Sequence, residues 1–133
     1  MEAKLVGSDS AADAAILKIG PEHLTAIPFG DSDKLRVGDF VVAIGDPALG
    51  GLTVTSGIVG SLHYRALENQ RPASFIRSDA RSNAGYSGGA LVTLRGELAG
   101  LNTVIIGTDN SGPEGGVAIP INAVRKAIEQ YSK

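Results

Sequence analysis

Short apolar stretches, each closed by glycine, proline or small polar residues, recur from residue 4 to residue 120, and only the C-terminal segment changes period. That rhythm commits the chain to strands and tight turns. Lys4-Leu5-Val6 and Ala15-Ile16-Leu17-Lys18-Ile19 read as strands, separated by the Gly7-Ser8-Asp9-Ser10 break, with Gly20-Pro21 closing the second. Residues 39–44 form a β-branched run closed by Gly45-Asp46-Pro47, and residues 52–62 form a long alternating run. Gly57 and Gly60 within that run predict bulges or a barrel bend. Residues 74–77 give a further short strand, residues 90–94 and 97–101 a hairpin turning at Arg95-Gly96, and residues 116–120 the last strand. The hairpin's second strand is expected to run on through residues 102–106, ahead of a polar, glycine-rich loop at 108–116.

After residue 120 the pattern switches to Val124, Ala127, Ile128 and Tyr131, the i, i+3, i+4, i+7 stripe of an amphipathic helix. Asn122 is the expected N-cap, and Arg125 is expected to pair with Glu129 across one turn. With 18 glycines among 133 residues and few aromatics, the chain has the turn density of one all-β domain, a small closed antiparallel barrel with a terminal helix. Composition narrows the chemistry. No cysteine is present, which rules out disulfides, thiol nucleophiles and thiolate metal sites. A net charge of −2 with mixed signs gives no basic footprint for nucleic acid. The longest apolar runs, such as Val104-Ile105-Ile106, are too short to span a bilayer, and no export signal is expected behind residues 1–4.

Gly85-Tyr86-Ser87-Gly88-Gly89 is the segment that carries chemistry. Glycines around a serine let the backbone bend tightly and bring N–H groups close to a developing oxyanion. The pattern fits the G-x-S-x-G elbow of α/β-hydrolases and the G-x-S-G-G of trypsin-like proteases. The elbow requires a helix after the serine and a histidine downstream, whereas residues 90–101 read as a hairpin and both histidines, His23 and His63, precede Ser87. The residues therefore favour the trypsin-like reading. Asp13, taken alone, is a turn aspartate ahead of a strand.

Residues 75–80 together with Gly85-Tyr86-Ser87-Gly88-Gly89-Ala90-Leu91 resemble the nucleophile segment of the HtrA/Deg serine proteases. Residues 31–39 with 42–47, residues 53–59, residues 96–103 and Val117-Ala118-Ile119-Pro120 are similar to further blocks of that family, in family order. The resemblance implies a trypsin-like fold: residues 31–133 as the C-terminal protease barrel with its helix, and residues 1–30 as the last strands of the N-terminal barrel. It implies Ser87 as nucleophile, Asp13 as the acid that orients an imidazole, and the Gly85 and Ser87 N–H groups as the oxyanion hole. It also implies a specificity pocket shaped by Ser82, Asn83, Ala84 and the loop at 106–116, with Asn102, Thr103 and Val104 offering a strand edge to substrate backbone.

The implied activity is endoproteolysis of unfolded protein in protein quality control, with a small aliphatic residue at the cleaved position. The implied location is the periplasm or cell envelope, and no metal or organic cofactor is needed. The family's histidine lies in a T-x-x-H segment upstream of the aspartate. This sequence is expected to start about where that barrel ends, and no PDZ domain is expected within it. Neither His23 nor His63 matches the base, so the chain alone is expected to be inactive, with a non-catalytic peptide-binding scaffold as the alternative. The open strands of residues 1–30 imply self-association or pairing with a complementing N-terminal barrel. Three departures stand out: Tyr86 where the family usually has asparagine, expected to add bulk beside the site; Ala84 for a frequent arginine; and Ala48-Leu49 where a family aromatic lies.

Overall fold

The computed structural model describes residues 2–20, 23–47, 50–65, 74–103 and 115–131. Among these, eight strands and one α-helix follow in chain order: β1 (Ala3–Asp9), β2 (Ala14–Ile19), β3 (Phe40–Gly45), β4 (Thr53–Tyr64), β5 (Phe75–Ser78), β6 (Ala90–Thr93), β7 (Leu98–Thr103), β8 (Gly116–Pro120) and α1 (Ile121–Glu129). β1 and β2 form a separate antiparallel hairpin; the other six strands close into a barrel in the order β3-β4-β5-β8-β7-β6. Closure comes from β3 pairing back on β6, with Val41 opposite Thr93 and Ala43 opposite Leu91. No helix of the described residues is long and apolar enough to cross a membrane.

Alternation decides which side chains enter the barrel. Along β3, Val41, Ala43 and Gly45 are buried while Phe40 is exposed. Val41, Val59, Ile76 and Leu91 fill the interior with Leu35 and Ala99, all nearly inaccessible. β8 is buried on both faces: Ala118 looks into the barrel, while Val117 and Ile119 join Phe75, Leu98, Ile121 and Val124 in a second layer under α1. Each fully buried aliphatic side chain of this kind contributes about 1.5–3 kcal/mol. The glycines of β4 act in different ways. The β4–β5 register shifts across Gly60, while Gly57 supplies space, because a Cβ there would collide with Asp79 and the Ala80 backbone. The β6–β7 turn is held by the Gly96 and Thr93 amides, which donate to Thr93 O and Glu97 O, with Gly96 at φ +75°.

Three local expectations need correction. Pro120, not Asn122, occupies the N-cap of α1, and its side chain makes no capping bond. Asn122 lies in the first turn. Its backbone N–H donates to Ser32 Oγ and its amide to Asp31 Oδ1, so it ties the helix to the 3-10 turn Ser32–Lys34. Arg125 turns away from Glu129: it donates to Gly30 O at 2.8 Å and lies 5.7 Å over the Phe29 ring. The helix ends at Glu129 rather than near residue 131. Tyr131 follows it in a turn, and its hydroxyl donates to Ser8 O at 2.8 Å, clamping the β1–β2 hairpin.

Candidate active site

Ser87 lies on the short connection between β5 and β6. Two turns in series shape that connection. The Tyr86 N–H donates to Asn83 O at 3.0 Å, and the Gly89 N–H donates to Tyr86 O at 2.8 Å. Tyr86 is the corner that both turns share. Each turn has a glycine with positive φ at its third residue, Gly85 at +99° and Gly88 at +83°, which only glycine adopts without strain. The connection is pinned from two sides. Gly85 O accepts the Asp46 N–H at the end of β3, and the Gly88 N–H donates to Asn102 O in β7.

Side chains along the connection alternate in direction. Gly85 and Ser87 are exposed, whereas Tyr86 between them is 4% exposed and belongs to the barrel core. The expectation that Tyr86 adds bulk beside the site is therefore corrected: its ring turns inward against Gly45. A Cβ on Gly45 would sit 2.7 Å from Tyr86 Cα and ring carbons, so glycine there makes the room. The amides of Gly85 and Ser87 make no hydrogen bond to any described residue. Two unpartnered donors thus lie on the exposed serine and two residues before it, groups of the kind that can receive an anionic oxygen.

Asn102 is buried at 3% exposure. Its side-chain amide donates to Ile44 O at 3.1 Å and Ala90 O at 3.0 Å, and its backbone exchanges bonds with Gly88 and Gly89. It rivets β3, β6 and β7 behind the serine. A polar residue inside an apolar strand was the sequence signal for this. Thr103 is half-buried and pairs with Val117 of β8; Val104 and the loop at 106–114 lie outside the described residues.

Asn83 and Ala84 are exposed, while Ser82 is half-buried with an inaccessible, unpartnered Oγ packed towards Gly116. Beside the backbone bond from Asp79 N–H to Ile58 O, two side-chain bonds tie residues 79–81 to β4: the Ile58 N–H donates to Asp79 Oδ1 at 2.6 Å and Thr55 Oγ1 to Arg81 O at 2.7 Å. Neither was anticipated from sequence.

Asp13 lies in the turn between β1 and β2, exposed, with φ +48°. The turn is shaped by Asp9, whose Oδ1 accepts the Ala11 and Ala12 N–H groups at 2.8 and 3.0 Å. Asp9 Oδ2 accepts Gln130 Nε2, so the hairpin turn docks on the end of α1. The Asp13 carboxylate carries no hydrogen bond or ion pair to a described residue, and neither His23 nor His63 bonds to Asp13 or Ser87. Both histidines are exposed.

Residues 1–101 match the family described as the trypsin-like peptidase domain. The chain is 49% identical over 130 residues to the periplasmic serine endoprotease DegP of Escherichia coli (strain K12), which covers 97% of this chain and 27% of that protein. It is 48% identical over 130 residues to the periplasmic pH-dependent serine endoprotease DegQ of the same organism, covering 97% of this chain and 29% of the relative. The chain thus spans little more than a quarter of the curated relatives it matches. Among solved structures, the HtrA-type protease AlgW with a decapeptide superposes with a TM-score of 0.87 at 40% identity, over 97% of this chain and 40% of that one.

Proposed function

We propose, for a chain that belongs to the HtrA/Deg family of trypsin-like serine proteases, that Ser87 is the nucleophile of a peptide-bond hydrolase acting on unfolded protein in the periplasm or cell envelope. The observation that carries this is the exposed Ser87 hydroxyl beside two unpartnered amides, its own and that of Gly85. In the reaction, an imidazole takes the Ser87 Oγ proton as the oxygen attacks the substrate carbonyl carbon. The carbonyl oxygen becomes an oxyanion and accepts from the Gly85 and Ser87 N–H groups. The imidazolium then protonates the leaving amine, and water repeats the sequence to release the acyl group. Asp13 orients the imidazole and stabilises its charged form, facing the same cleft as Ser87. Ser82, Asn83, Ala84, Thr103 and Val104 border the bound peptide, which carries a small aliphatic residue at the cleaved position. Asn102 contributes from behind, by holding the wall in place.

The imidazole in this proposal comes from a further polypeptide segment, a complementing N-terminal barrel that also covers the open faces of β1 and β2. A non-catalytic peptide-binding scaffold is the second reading, favoured by the absence of a histidine bonded to Ser87 among the described residues. The test is to mix the chain with a family N-terminal barrel segment bearing its histidine, then measure sedimentation and peptide hydrolysis. The chain alone is expected to lack turnover, since a general base is worth about 10²–10⁴-fold. The mixture is expected to gain activity that Ser87→Ala abolishes. Binding without hydrolysis would establish the scaffold reading instead.

A further inference from the structure

We propose that Tyr86 is a positioning residue that presets one of the two oxyanion donors, the Ser87 N–H, before substrate arrives. The inference rests on the reading of the Gly85 and Ser87 amides as those donors. It starts from connectivity. Tyr86 closes one turn with its N–H and opens the next with its C=O. Rotating the Tyr86–Ser87 peptide plane breaks the bond from Gly89 and re-aims the Ser87 N–H, which that plane carries. The backbone at this corner is rich in glycine, with Gly85, Gly88 and Gly89 around it, and glycine resists such rotation least. The plane that carries the Ser87 N–H has one hydrogen bond at this solvent-facing corner, from Gly89 to Tyr86 O, a weak restraint because water competes for it.

The buried ring supplies what the turns lack. It sits in the same cluster as Val41, Ala43, Val59 and Leu91, the closely packed interior of the barrel. Gly45 abuts both its Cα and the near edge of its ring, so the fit is made at the base of the side chain. A side chain fixed at Cα and ring restricts the peptide plane that leaves Tyr86 towards Ser87, and that plane carries the Ser87 N–H. Packing in the core is thereby converted into aim at the surface. Chemistry at the phenol oxygen has no part in this, so the ring's shape should suffice.

The test uses backbone amide order parameters in this chain and in Tyr86→Phe, Tyr86→Leu and Tyr86→Ala, with Ala99 of β7 as an internal reference. Wild type and Tyr86→Phe are expected to hold the Ser87 amide near the rigid value of about 0.85, and Tyr86→Ala to let it fall below about 0.6 while Ala99 stays rigid. If Tyr86→Ala does not fold, Tyr86→Leu decides, since it keeps an apolar plug but not the ring that abuts Gly45. An unchanged Ser87 amide, or uniform loosening that includes Ala99 in both variants, would overturn the proposal.

A second arm uses the mixture with the histidine-bearing segment. There, Tyr86→Leu is expected to lower kcat about 10²-fold, the order of one lost oxyanion donor, with KM little changed, and Tyr86→Phe to match wild type. A mixture inactive even in wild type refutes the proteolytic reading, while the order parameters still decide the anchoring.

Discussion

Asn102 and Asp31 show how single polar groups set the local geometry. Replacing Asn102 by alanine removes the buried amide that donates to Ile44 O and Ala90 O. The expected cost is about 1–3 kcal/mol, read as a lower urea midpoint at unchanged slope. Asp31 is exposed, and its pKa is held below the ordinary aspartate value of 3.8 chiefly by the Asn122 amide, then by the Asp33 N–H and Lys34. A depressed carboxylate pKa stabilises the fold above the unfolded value and loses that contribution as pH falls through the folded one. The tie between α1 and the 3-10 turn should therefore weaken only below about pH 4, the range of an ordinary aspartate. Carboxyl-carbon NMR is expected to show an Asp31 midpoint under 3.8 that rises in Asn122→Ala. At this scale the serine motif was readable, because glycines at fixed offsets have a backbone reason. The direction of Tyr86 was not: in a turn, no period assigns a side chain to a face, and only the barrel wall behind it decides. Asn122 was misread because an N-cap preference was weighed without its partner, Asp31, 91 residues away.

Among the elements, the β1–β2 hairpin stands apart from the barrel sheet and is held to it mainly by the end of α1. Tyr131 is its clamp, with its hydroxyl on Ser8 O and its ring filling the space over Gly7. Tyr131→Ala should speed hydrogen exchange of β1 and β2 amides while barrel amides such as those of β7 keep their protection. Strand positions were readable throughout, since apolar alternation and turn residues mark where pairing begins and stops. The ends of α1 were less so. Helical periodicity carried on to Tyr131, but the side chain at that position is recruited to the hairpin after the helix has ended. Arg125 behaves similarly: local spacing favours Glu129, yet the Gly30 carbonyl and the Phe29 ring offer a better-formed partner.

Taken whole, the molecule has a sealed barrel and one open flank. Leu5, Val6 and Leu17 on the hairpin are 60, 48 and 58% exposed, on strands whose outer edges lack partners among the described residues. Such an edge invites pairing. The chain alone is expected to sediment as a concentration-dependent mixture, and Leu5→Lys with Leu17→Lys is expected to return it to monomer. Sedimentation velocity over a dilution series checks both. The barrel's closure has a consequence in time. β3 is sealed by β6 only after some fifty further residues, since Val41 meets Thr93, and β5 waits about forty for β8, with Ser78 opposite Gly116. Such distant pairings are slow to find. During synthesis the serine connection would leave the ribosome well before Asn102, its rivet, and before β8 completes the wall. The nascent chain therefore carries Ser87 without the shape that its proposed role as nucleophile requires, and on that reading the hydroxyl stays unarmed until nearly the whole barrel has been made.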